Sequence, residues 1–111
     1  MEHQVVPQQK LSKDEERLLS FIPVGSERPR PLKELVQLTG WNQRRIREMI
    51  SRLIVIHHLP IGAVYYHPGN GYFQISNNEE RSKALAPLTS QILMISRRAQ
   101  IIGNAKLVSE E

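Results

Sequence analysis

The spacing of apolar residues changes character twice along the chain, and each change predicts a different kind of element. From Ser12 to Leu53 the spacing is helical: Leu18, Leu19 and Ile22, then Leu32, Leu35, Val36 and Leu38, then Ile46, Met49, Ile50 and Leu53. Ser12 followed by Glu15 is a capping-box signature opening a first helix that ends near Ile22, stopped by Pro23 and Gly25. Pro31 suits the first position of a second, short helix, which Gly40 closes. Asn42 is the expected N-cap of a third, and a tight Thr39-Gly40 turn separates the two. The connection from Gly25 to Pro31 holds Pro29 and Pro31 after Pro23 and should be stiff and extended.

Beyond Ile56 the pattern turns β-like. Leu59 to Tyr66 and Tyr72 to Ile75 are rich in β-formers and flank His67-Pro68-Gly69-Asn70-Gly71, a cluster of turn residues, so a hairpin is expected. Helical spacing then returns from Asn78 to about Gly103, with Asn77 or Asn78 as cap. Leu85, Leu88, Ile92, Ile95, Ala99 and Ile102 follow one another at intervals of 3, 4, 3, 4 and 3, a heptad seam. Pro87 should kink this helix or restart it. Leu93, Met94 and Ile101 lie off the seam and widen the apolar surface beyond the needs of one helix. The organisation read from this pattern is a loose arm (1–11), a small domain (12–76), a C-terminal helix suited to pairing with a second subunit (77–104) and a frayed tail (105–111).

Charge sharpens the picture at one place. The chain carries +4 overall, but the segment from Arg28 to Arg52 holds seven basic residues against Glu34 and Glu48, a local +5, and the remainder is −1. Arg44, Arg45 and Arg47 crowd the positive end of the third helix's dipole, at a cost of roughly 0.3–1 kcal/mol for each exposed charge. An anionic partner would offset that cost. The competing account is a solvated face with internal pairing, since Arg44–Glu48 and Glu48–Arg52 both stand at i,i+4. A positive excess gathered on one helix and the loop before it is the footprint a nucleic acid selects.

Other chemistries find little support. With no cysteine among 111 residues, disulfides, Cys-bound zinc and Cys nucleophiles are excluded. His57-His58 and His67 lack the spacing of a metal site, and His57 or His58 would instead gain from a helix C-terminus. Asp14-Glu15-Glu16 fits a helix start, where acids complement the dipole, and Gly69-Asn70-Gly71 is too short to cradle a phosphate. No Ser/His/Asp arrangement is arguable, so an enzyme, a cofactor and a small-molecule substrate are not expected. Trp41, in the turn before the third helix, is expected to be partly buried. Alternation along the strands is expected to turn some of Tyr65, Tyr66 and Tyr72 to the core and others to solvent, with packing favoured over stacking on bases. Neither a signal peptide nor a membrane-spanning stretch is legible, and a cytoplasmic protein is expected.

The succession of these elements resembles a known family. Residues 12–76 are similar to winged helix-turn-helix domains, and Thr39 to Ile75 carries most of the likeness. Within it, Leu59-Pro60-Ile61 followed by Gly71-Tyr72-Phe73-Gln74-Ile75 resembles the wing of small bacterial and phage regulators. The resemblance implies a mainly α fold with a small β-hairpin wing, a third helix that enters the major groove, and a wing near the neighbouring backbone. It assigns recognition to Gln43, Arg44, Arg45, Arg47, Glu48, Ser51 and Arg52. The wing tip offers His67 and Asn70 where many wings carry Lys or Arg.

The expectation is therefore a double-stranded DNA-binding homodimer, a transcriptional regulator or replication accessory. Arg28, Arg30 and the flanking arginines would hold phosphates, while Gln43, Arg44, Arg47 and Ser51 reach base edges. Leu85, Leu88, Ile92, Ile95, Ala99 and Ile102 would carry dimerisation. The rival is an assembly module that uses the same fold to bind protein. Against it stands the concentration of positive charge between residues 28 and 52.

Overall fold

The computed structural model describes residues 10–66 and 69–109. Among these, four helices and a two-stranded antiparallel hairpin follow in the order α1 (Lys13–Ser20), α2 (Leu32–Thr39), α3 (Gln43–Val55), β1 (Ile61–Val64), β2 (Gly71–Gln74) and α4 (Asn78–Asn104). The local signals act where they were read. Ser12 Oγ accepts the Glu15 N–H at 3.0 Å while the Ser12 N–H donates to Glu15 Oε1 at 2.8 Å, completing the capping box. Asn42 caps α3 by accepting the Arg45 N–H at 2.8 Å. Gly40 closes α2 in the left-handed conformation, φ 80°, which a residue with a Cβ enters only at a cost. Pro31 stands one position earlier than expected, as the N-cap of α2: its carbonyl receives the N–H groups of Glu34 and Leu35, and having no N–H of its own costs nothing there.

The apolar faces of the first three helices meet in one core. Leu18 and Ile22 come from α1 and its exit, Leu35 from α2, and Ile46, Met49, Ile50 and Leu53 from α3. Each such side chain removed from water contributes about 1.5–3 kcal/mol before chain entropy is deducted. Leu59, Ile61 and Tyr72 extend this core onto the hairpin, and Leu11, expected within the loose arm, packs against it too.

β1 pairs with β2 from Ile61 opposite Gln74 to Val64 opposite Gly71. The outer edge of β2 is not left open. Loop residues 23–30 lie along it: Gln74 N–H donates to Pro23 O, Gly25 N–H to Gln74 O, and Arg30 and Tyr72 exchange both backbone bonds at 2.8 and 2.9 Å. The proline-rich connection thus satisfies an edge that would otherwise invite another strand. Gly71 is where the two come closest. A Cβ there would stand 2.5 Å from the Arg30 carbonyl carbon, and its φ of 142° already favours glycine.

α4 runs as one helix across Pro87, so of the expected kink or restart the restart does not occur. Proline forfeits a single backbone bond, and the helix is already committed on its N-terminal side. There Asn77 caps it, Ala84 fits beside Gly62 and the buried Phe73, and Glu80 ties it to the body. Glu80 Oε1 accepts the Ser76 N–H and hydroxyl at 2.8 and 2.9 Å, and Oε2 accepts the Ser26 N–H at 2.8 Å. From Leu88 onward every residue of α4 is exposed. The helix has 27 residues, a length of about 40 Å, and its C-terminal half projects from the domain.

Two carboxylates therefore hold separate joints, and acid should release both. The backbone bond from Ser12 holds Glu15 below the ordinary 4.5, helped by Arg52 and His57 and opposed by burial. The backbone bonds from Ser76 and Ser26 bring Glu80 down to about 2. A carboxyl whose folded value is depressed contributes stability that is complete above its unfolded value and is lost as pH falls through the folded one. Glu80→Gln should be less stable than the parent at pH 7 in urea unfolding, and the gap should close as pH falls from the ordinary carboxyl value toward 2. Glu15→Ala, which strands His57 and Arg52, should cost about 2–4 kcal/mol at neutral pH in the same assay. A gap that widened in acid would contradict the assignment of Glu80.

Candidate nucleic-acid interface

The outward surface of α3 is what the core leaves over. With Ile46, Met49, Ile50 and Leu53 turned inward, the residues Gln43, Arg44, Arg47, Glu48 and Ser51 face solvent, and Arg45 and Arg52 lie on its flank toward α1. The structure sorts the arginines into two groups that the sequence does not separate.

Arg45 and Arg52 are held by α1. Arg45 Nη2 lies 2.7 Å from Asp14 Oδ2, and its guanidinium stacks 4.3 Å from the centre of the Trp41 ring. Arg52 Nε lies 3.1 Å from Glu15 Oε2. The other oxygen of Glu15, besides its cap bond, lies 3.2 Å from Nε2 of His57, a side chain only 4% exposed. With an ionised carboxylate accepting, Nε2 carries the proton. The histidine read as a partner for the helix C-terminus is thus a buried partner for a carboxylate, 42 residues earlier in the chain. His58, next to it, takes φ 58° as the chain leaves the helix.

Arg44 and Arg47 point away from the body. Arg44 makes the expected i,i+4 contact to Glu48 at 3.3 Å, yet its side chain remains 88% exposed, so the pair is weak and easily exchanged for another anion. The pairing Glu48–Arg52, equally allowed by spacing, is not made; Arg52 turns to Glu15 instead. Among the described residues Arg28, Lys33 and Arg47 have no ion-pair partner. Asp14 and Glu15, brought against the basic segment by folding, reduce its +5 by two, leaving +3.

Arg30 takes a different place from the one expected. Half-buried, it donates from Nε to the Phe21 carbonyl at 3.1 Å and from Nη1 to Glu34 at 3.1 Å, so it pins the loop rather than reaching outward. Arg28 is exposed in the same loop. Asn70, at the end of the hairpin loop, is half-buried, and His67 lies outside the described residues. Tyr65 and Tyr66 are exposed at the loop's start, whereas Tyr72 packs on the core as expected.

Sequence reasoning missed Arg17. Its guanidinium donates to the carbonyls of Leu38 and Thr39 at 3.2 Å each, capping the C-terminus of α2, and lies 5.4 Å from the Trp41 ring centre. Trp41, half-buried as expected, so carries a guanidinium contact from α1 and another from α3. The only local hint was a basic residue in the last turn of α1.

The seam residues of α4 are uncovered. Leu85 and Leu88 reach the body, where they help line an apolar groove with Ile54, Leu59 and Ile61, while Ile92, Ile95, Ala99 and Ile102 are exposed. Among the described residues no cluster of three or more His, Asp or Glu could hold a metal ion, and no helix is long and apolar enough to cross a membrane. No protein-family model matches the chain, and neither the curated proteins nor the solved structures contain a significant match to it.

Proposed function

We propose that the chain is a winged helix-turn-helix protein that binds double-stranded DNA through the outward face of α3, as a homodimer joined by α4, in transcriptional regulation or as a replication accessory. The observation that carries the reading is Arg47 together with Arg44: two guanidiniums in the first half of α3, exposed, one unpaired and one weakly paired, on a face that also holds Gln43 and Ser51. A recognition helix presents this half to base edges, and arginine is the side chain best suited to guanine there. Arg28, Arg45 and Arg52 stand around that face as phosphate contacts, the latter two preset by Asp14 and Glu15. The hairpin is the wing, with the loop 23–30 on its outer edge.

The uncovered seam of α4 equally suits an assembly module that binds protein alone. Salt separates the two. If each subunit neutralises roughly three to five phosphates, log K for a random duplex should fall with log salt at a slope of several negative units per dimer. Mobility-shift titrations at a series of salt concentrations measure it. A flat dependence, or no shift at low salt, favours the assembly module.

Within the DNA reading, substitutions should divide by role. Arg44→Ala and Arg47→Ala should each weaken a specific site by about 1–3 kcal/mol and a random duplex far less. Arg28→Ala should weaken both about equally. Arg30→Ala should instead lower the melting temperature, since its guanidinium is engaged inside the protein. Equal losses on specific and random DNA for all four, measured by fluorescence anisotropy, would overturn the division.

A further inference from the structure

We infer that the two copies pair their α4 helices antiparallel, so that the C-terminal end of each helix lies across the apolar groove of the other's body. This rests on the homodimer proposed above and specifies its geometry.

The groove is the starting point. It has a volume of about 380 Å³ and lies between the C-terminal half of α3, the base of the hairpin and the start of α4. Ile50, Ile54, Leu59 and Ile61 line one side, and Leu85 and Leu88 the other. Leu85 and Leu88 are also the first two residues of the heptad seam. Seam and groove are thus one continuous apolar surface, and a helix seated on the seam runs into the groove. The only question is which end of the partner arrives there.

The seam itself decides. Its intervals of 3, 4, 3, 4 and 3 read the same in both directions, about a point between Leu93 and Met94. An antiparallel mate therefore meets it layer by layer: Leu85 with Ile102, Leu88 with Ala99, Ile92 with Ile95. Large stands against small at the two symmetry-related layers that contain alanine. A parallel mate sets Ala99 against Ala99 and leaves a hollow there. It also places Ile95 and Ile102 at the positions where parallel two-stranded coils favour leucine. Close-packed layers are worth more than hollow ones, because a void forfeits the contacts of everything that lines it.

Charge points the same way. From Arg81 to Ser109 the chain has no acidic residue, and Arg97 and Arg98 stand together near the middle of the exposed stretch. Side by side, two parallel helices would bring four guanidiniums to one level with no carboxylate to separate them. Reversed, Arg97 and Arg98 come level with Ser90 and Thr89 of the mate, and the two pairs stand about 12 Å apart along the axis. That exceeds the screening length of about 8 Å at physiological salt. Opposed helix dipoles add to the preference.

The absence of cysteine makes the geometry directly testable. Leu85→Cys and Ile102→Cys, introduced singly and together, occupy sites exposed on α4, so the core of the body is unaltered, as an unchanged cooperative melt would show. In the antiparallel pair two copies of residue 85 lie about 26 Å apart, far beyond disulfide reach, whereas residue 85 of one faces residue 102 of the other. Under mild oxidation the single variants should stay uncrosslinked on a non-reducing gel. The double variant, and an equimolar mixture of the two singles, should give a covalent dimer. Self-crosslinking of either single variant would overturn the antiparallel arrangement, as would a double variant that fails to crosslink while the parent sediments as a dimer. A parent that sediments as a monomer at high concentration would overturn the homodimer itself, and is read independently of the gel.

Discussion

The carboxylate of Glu15 joins the two ends of the helical body. One oxygen receives the Ser12 N–H that starts α1 and meets the ring of His57 just past α3, and the other receives the guanidinium of Arg52 in the last turn of α3. Buried as it is, this charge is tolerable only because every contact around it is a donor. The consequence is geometric. Docking α1 against the far end of α3 locks in the orientation that Ile46, Met49, Ile50 and Leu53 set, and the side left outside is the one bearing Gln43, Arg44, Arg47, Glu48 and Ser51.

The same helix pair reconciles two opposed demands. Basic residues at a helix N-terminus oppose its dipole, and α3 has no acid in its first turn. Folding relieves this by supplying carboxylates from outside: Asp14 to Arg45 at one end, Glu15 to Arg52 at the other. Trp41 contributes a ring face to Arg45. Arg47 receives nothing of the kind, and Arg44 only an exposed contact. The compensation is thus complete on the side facing α1 and missing on the side facing solvent, and an arriving phosphate or guanine edge would supply it there.

Much of the fold was legible because its signals are local. Ser12 with Glu15, Asn42 at the head of α3, Gly40 after α2 and the turn cluster before Gly71 all act within a few residues of themselves, and the helical spacing of Ile46, Met49, Ile50 and Leu53 names the core face directly. What could not be read joins distant segments. Nothing near His57 announces Glu15, nothing near Arg45 announces Asp14, and the pairing of loop 23–30 with β2 depends on a register that only the folded chain sets. Spacing also left two partners open to Glu48, and the choice was made by Glu15 taking Arg52 away. The same limit explains Arg30, whose charge read as part of the outward patch until the loop folded it onto the Phe21 carbonyl. For α4 the helix and its seam were legible, and the anchoring of its first turns was not, since Glu80 and Ala84 meet Ser26 and Gly62 from distant segments.

The central claim is that the solvent face of α3 is where DNA binds. Titrating a short duplex into isotopically labelled protein and following backbone amides by NMR tests it residue by residue. The account predicts the largest shifts at Gln43, Arg44, Arg47, Glu48 and Ser51, smaller ones at Arg28 and around the hairpin loop, and none along the exposed half of α4. Shifts confined to α4 and the groove at its base, or no shifts at any duplex concentration, would contradict it.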